Sequence, residues 1–258
     1  MIGAIREPLN WRLFLALWLA GTAAALPLIP VTVVLGEAGV GIQKISWQYA
    51  TVTVLAAALV IFSAAIYVGL RTGRRFGLGA PLVAAWLAGE PLVDAGKPLA
   101  MGAATGGALG LIGVVLAAVM VGDSAAPAMH ADDVVPLWIG VAQAISAGVG
   151  EELLFRLGLM SVLVAFVRRV IPGGDDHASD SVMWTALALA AIIFTAVHGA
   201  PGGGAEGASQ LITEPMQLLR LTGGGLFGWL FWKHGLEAAV TAHFTYDVVL
   251  FYGIIAAV

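Results

Sequence analysis

The chain has 258 residues, of which 60% are hydrophobic and 11% charged, and it has no cysteine. Soluble domains run at about 45–50% apolar and roughly 25% charged, so this composition, with a mean hydropathy of +0.94, describes a polytopic membrane protein and excludes most soluble enzyme classes. The net charge of -4 argues against a nucleic-acid partner, and the missing cysteine excludes disulfides, thiolate metal sites and a cysteine nucleophile.

A membrane span needs about 20 predominantly apolar residues. Charge-free windows of 24 (13–36), 26 (45–70) and 25 (98–122) residues predict three spans in the first half. The first reads as a retained span rather than a signal peptide, because its apolar run passes Ala23 and Ala25 and continues through Pro27 and Pro30 to Leu35. The shorter stretch from Phe76 to Gly89 predicts an interfacial or re-entrant helix. Gly102, Gly106 and Gly110 form a small-residue seam of the kind that packs helices closely.

The second half predicts spans at about 134–167, 182–198, 216–232 and 236–258, but ionisable residues interrupt them. Only 17 uncharged residues separate Asp133 from Glu151, 12 separate Arg220 from Lys233, and nine separate Glu237 from Asp247. A charge at mid-membrane costs at least ~2.5–3.5 kcal/mol on insertion scales, which makes such residues functional suspects. The segment 134–167 would be about 50 Å long as one helix, and it is expected to tilt or break near Gly148 and Gly150. Gly224 and Gly228 read as a second packing pair, and Trp11, Trp18, Trp229 and Trp232 as interfacial belts.

The expected fold is therefore an all-α transmembrane bundle of seven spans, with eight as the alternative. It forms a single membrane domain over 1–258, with spans free of any motif in 1–133 and the core in 134–258. With the N-terminus inside, the cytoplasmic face collects Arg6, Arg12, Arg71, Arg74, Arg75, Lys97, Arg168, Arg169 and Lys233, against Lys44 and Arg220 outside. His177 among Asp175, Asp176 and Asp180 reads as a solvated loop, and His234 and Glu237 need no catalytic role.

Three short segments carry the unexpected polar groups. In Glu151-Glu152-Leu-Leu-Phe155-Arg156, Glu152 and Arg156 share a helix face with acid before base. Glu151 is rotated about 100° away at 3.6 residues per turn, so Arg156 holds Glu152 ionised while Glu151 stays free for proton transfer. Phe194-Thr-Ala-Val-His198 ends a span, and His243-Phe-Thr-Tyr-Asp247 is another i,i+4 pair. Singly, these read as a structural ion pair, an interfacial histidine and a polar helix clamp. Together, in one charge-poor half-chain, they point to a site.

EExxxR, FxxxH and HxxxN or a close variant, in this order on consecutive apolar segments, resemble the CAAX-protease and bacteriocin-processing family. These intramembrane endopeptidases, also called CPBP or ABI proteins, are related to the Ras-converting CAAX endoprotease. The resemblance covers about 134–258. It implies that Glu151 is the general base, that His198 helps it hold and activate a water, and that His243 orients or polarises the scissile carbonyl. Glu152 and Arg156 would be the supporting pair. Where the family usually has asparagine this chain has Asp247. An ionised carboxylate accepts hydrogen bonds only, so Asp247 would serve if protonated by apolar surroundings, by holding the His243 tautomer, or by binding a metal.

Peptide hydrolysis needs an activated water and a stabiliser for the oxyanion. No GxSxG elbow is present, which leaves a glutamate–histidine water site with or without metal. Glu151, His198, His243 and Asp247 are suitable zinc ligands, yet HExxH is missing and the family has been read both as metalloproteases and as metal-independent glutamate proteases. A divalent metal such as zinc is therefore left open and slightly disfavoured.

The expected partners are the lipid bilayer and a membrane-associated peptide or protein substrate, with the plasma membrane of a prokaryote as the location. Two rivals remain: a non-catalytic scaffold or immunity-type relative, and a proton-coupled transporter using the buried carboxylates as a relay. One point fits poorly, since His198 ends its span at the outer face while His243 lies close to the inner start of its own. The glycine-rich segment Gly199 to Gln210 is expected to dip inward and line a water-accessible funnel.

Overall fold

The computed structural model describes residues 9–38, 43–121, 136–170, 178–199 and 214–257, and these contain eight helices and no strand. Helix α1 consists of Trp11–Ala25 and Leu28–Ala38 on either side of a turn at Leu26 and Pro27. Then come α2 (Trp47–Phe76), α3 (Pro81–Ala88) and α4 (Gly96–Val121). The core follows as α5 (138–170), α6 (Asp180–Gly199), α7 (Glu214–His234) and α8 (Leu236–Ala257). The expected funnel segment lies outside the described residues except for Gly199, and so do Asp175, Asp176 and His177.

Local sequence accounts for the helix ends. The Asn10 side chain accepts from the Leu13 amide at 3.1 Å and the Ser46 hydroxyl from the Tyr49 amide at 3.2 Å, each satisfying one orphan donor of a first turn. The short α3 starts at Pro81 and ends at Gly89 in a left-handed conformation. A carboxylate from another helix caps it: Glu237 Oε1 accepts from Val83 N at 2.8 Å. This is the structural work of a residue that needed no catalytic explanation.

Five helices are long and apolar enough to cross a membrane: Trp11–Ala38, Trp47–Phe76, α4, α6 and α8. Adding α5 and α7, which carry the ionisable and glycine residues, gives seven long segments among the described residues, the number of spans expected from the sequence. Large apolar side chains such as Trp11, Leu19, Val52, Leu111, Val119 and Phe166 point outward, as lipid contact requires. The interior is closed by Ile66, Leu157, Met160, Val182 and Leu230, each completely buried.

Helix α8 is held between two neighbours by missing side chains. A Cβ on Gly106 of α4 would strike the Ala242 carbonyl, and one on Gly148 of α5 would lie 3.0 Å from the Phe244 amide nitrogen. Backbones this close fix the position of His243, which lies between those two contacts. The seam Gly102, Gly106, Gly110 is thus a packing seam against α8, and Gly224 and Gly228 pack α7 against Ala191 and Leu187 of α6.

The irregularity expected near Gly148 and Gly150 is a change of helical winding rather than a break. The chain is α-helical over Trp138–Glu151, turns π-helical over Glu152–Met160, and returns to α over Ser161–Val170. Such wide turns are rare and tend to sit at functional sites.

Candidate active site

Helix α5 carries Glu151, Glu152 and Arg156 into the middle of the bundle. Glu152 and Arg156 are buried at 0% and 2% exposure, and Arg156 Nε stands 3.1 Å from Glu152 Oε2. The guanidinium also donates from Nη2 to the Gly224 carbonyl at 3.3 Å and lies over the rings of Phe194 and Phe227, 4.9 and 5.7 Å from their centroids. A buried ion pair is tolerated only when further hydrogen bonds satisfy both partners. For Glu152 that partner comes from α8: His243 Nδ1 lies 2.8 Å from Glu152 Oε1.

This contact fixes the His243 tautomer. A carboxylate accepts, so Nδ1 carries the hydrogen and Nε2 is left facing the cavity. The tautomer-holding role considered for Asp247 therefore belongs to Glu152. Asp247 lies on the other side of the ring, with Oδ2 3.6 Å from Nε2. His198 repeats the arrangement: its Nδ1 is 2.8 Å from the Phe194 carbonyl oxygen, which can only accept, so its Nε2 is also free. The FxxxH spacing thereby gains a reason, because the carbonyl one turn earlier orients the imidazole.

The free atoms converge. Glu151 Oε2 is 3.4 Å from His198 Nε2 and 3.9 Å from His243 Nε2. Polar atoms this far apart can share one water placed at ~2.8 Å from each. Glu151 and His198 are 28% and 26% exposed, against 0% for Glu152. Two adjacent glutamates thus occupy different environments, one sealed in an ion pair and one open to a cavity.

That cavity has a volume of about 200 Å³ and is lined by Glu151, His198, His243, Asp247 and, from α7, Arg220 and Phe227, among others. The six site residues expected from the sequence are therefore assembled in one place. Among the described residues no three His, Asp or Glu side chains are arranged as a metal centre.

The mismatch of depth between His198 and His243 resolves through helix length. Glu151 stands about 20 Å along α5 from Trp138 and His243 about 20 Å before Ala257, at 1.5 Å per residue. The described part of α6 runs to Gly199, directly after His198, which lies level with Glu151, while α5 and α8 continue past that level. At the opposite end α8 begins only about 10 Å before His243. There Leu236 N donates to Gly79 O at 2.9 Å, and α3 closes the bundle beneath the α7–α8 turn.

Sequence reasoning missed Phe227 and Arg220. Phe227 stacks on His243 with centroids 5.2 Å apart and planes inclined at 30°, and Phe194 lies 4.3 Å from the His198 ring. The aromatic run around Gly228 carried no distinguishing signal for Phe227. Arg220 was counted as an outer-face charge, yet it lines the cavity and its Nη1 is buried.

Residues 133–249 match the family model described as type II CAAX prenyl endopeptidase, Rce1-like. The matched segment contains all six site residues and the cavity wall of α7. No curated protein and no solved structure matches the chain. The winding change at Glu152, the paired imidazoles and the family match agree: this integral membrane protein carries, over residues 133–249, a domain of the Rce1-like CAAX endopeptidase family.

Proposed function

We propose that the protein is an intramembrane endopeptidase that cleaves membrane-associated peptides or proteins with a water activated by Glu151 and His198. Glu151 Oε2 takes a proton as the water oxygen attacks the scissile carbonyl carbon. His198 Nε2 holds the same water and positions its lone pair. The charge developing on the carbonyl oxygen is met by Nε2–H of a His243 imidazolium, whose positive charge is offset by Glu152 at Nδ1. Collapse of the tetrahedral intermediate returns the proton from Glu151 to the leaving amine nitrogen, so that water is divided between the two products.

Asp247 faces His243 from the Nε2 side as a carboxylate 3.6 Å away, a charge that favours the imidazolium until substrate enters. The observation that carries this reading is the approach of one carboxylate oxygen, Glu151 Oε2, to two imidazole Nε2 atoms whose other nitrogens are already engaged. No step calls on a metal.

The test is hydrolysis of acyl-anchored peptides in proteoliposomes, read by mass spectrometry. The wild type is expected to release defined fragments and Glu151→Gln to release none. Peptide binding without cleavage by the wild type would favour the scaffold reading. Proton-coupled peptide uptake that depends on Glu151 would favour the transporter.

A further inference from the structure

The cavity contains a cation that the hydrolytic mechanism does not use. Arg156 is engaged by Glu152 and by the Gly224 carbonyl. Arg220, one turn before Gly224 on α7, also lines the cavity, and its Nη1 is buried with no hydrogen-bond partner. No described carboxylate lies within ion-pair distance of it. An interfacial anchor would instead send its guanidinium out to water or lipid headgroups.

Arg220 is half-buried, and a buried guanidinium nitrogen without a partner is costly unless something arrives to pair with it. Free space beside it is left at Gly223, where an added Cβ would meet no atom closer than 3.9 Å. A guanidinium is matched best by a carboxylate, which it binds with two parallel hydrogen bonds.

We propose that Arg220 is the anchor for a substrate carboxylate that sits next to the scissile bond and so decides which bond meets Glu151. This deepens the endopeptidase reading and rests on it. A cavity of about 200 Å³ holds only a short piece of chain. At roughly 3.3–3.6 Å per extended residue, the anchored carboxylate lies within about two residues of the bond that is cut. It belongs either to the C-terminus of the substrate or to an acidic side chain.

The experiment measures equilibrium binding of three acyl-anchored, fluorescent peptides to the full chain in nanodiscs. The peptides share an apolar sequence and end in a carboxylate, in an amide, or in an amide with one glutamate two residues earlier. Glu151→Gln serves as the background so that nothing is cut, alone and combined with Arg220→Gln or Arg220→Lys. The expected result is at least ~10-fold tighter binding of one carboxylate-bearing peptide than of the plain amide. That preference disappears with Arg220→Gln and partly survives with Arg220→Lys, while the plain amide binds equally to all three proteins.

Preference for the first peptide assigns the carboxylate to the C-terminus, and preference for the third assigns it to a side chain. Equal binding of all three, binding of none, or a preference that survives Arg220→Gln overturns the proposal. Binding is read without turnover, so a failure of the anchor and a failure of hydrolysis give different results.

Discussion

Glu151 and Glu152 are neighbours in sequence, and replacing each by glutamine should lower activity but differ in its effect on stability. Glu152 is completely buried, 3.1 Å from Arg156 Nε and 2.8 Å from His243 Nδ1. In Glu152→Gln the Arg156 charge stays inside the bundle without its counter-ion, and removing one partner of a buried pair costs about 3–5 kcal/mol. At about 2–4 °C per kcal/mol for a chain of this size, the melting temperature should fall by roughly 6–20 °C. Activity should fall with it, because His243 is no longer held. Glu151→Gln removes a charge from a cavity wall that is 28% exposed, so the fold should keep its wild-type melting temperature. The general base is lost, and hydrolysis should drop by ~10²–10⁴-fold. The assay is a thermal melt in detergent beside peptide hydrolysis in proteoliposomes. A Glu152→Gln protein with wild-type melting temperature and activity would refute the reasoning, and so would an active Glu151→Gln.

Asp247→Asn supplies an amide that can donate to an oxyanion as well as accept, so hydrolysis should be kept or raised, whereas Asp247→Ala should lower it; the rates of the two variants decide. His198→Ala removes one holder of the water and should reduce the rate by ~10²-fold or more without moving the melting temperature. Gly106→Ala drives a methyl group into the Ala242 carbonyl, pushes α8 away from α4 and should lower both melting temperature and activity; a wild-type melt would contradict the packing argument. Ser146, whose hydroxyl lies 2.6 Å from the Ala24 carbonyl and which does not line the cavity, serves as a control: Ser146→Ala should cost about 1 kcal/mol in stability and leave the hydrolysis rate unchanged.

The six polar residues of the site were legible because charge is so expensive inside a membrane that each one stood out against apolar surroundings. The glycine seams were legible for a related reason, since close helix approach leaves the sequence little choice beyond small residues. The pairing of Glu152 with His243 was not, because the two are 91 residues apart and local spacing reveals only the Glu152–Arg156 partner. Nor was the common depth of His198 and His243, which depends on how α5, α6 and α8 are set against one another in the assembled bundle. Arg220 resembled an ordinary interfacial charge because its place on the cavity wall, with Nη1 buried, is a property of the assembled bundle. Phe227 was hidden for the opposite reason, as one aromatic residue among several in a run.

The central claim is that Glu151 and His198 share one water, beside the Nε2 of His243 that meets the carbonyl oxygen. An experimental density map of the chain in nanodiscs, detailed enough to show ordered water, tests it directly. The account predicts a water peak within about 2.6–3.2 Å of Glu151 Oε2 and His198 Nε2, with His243 Nε2 facing the same space. A peak at about 2.0–2.1 Å from the two nitrogens would identify a metal and contradict it, as would imidazoles turned away from Glu151 with no shared peak between them.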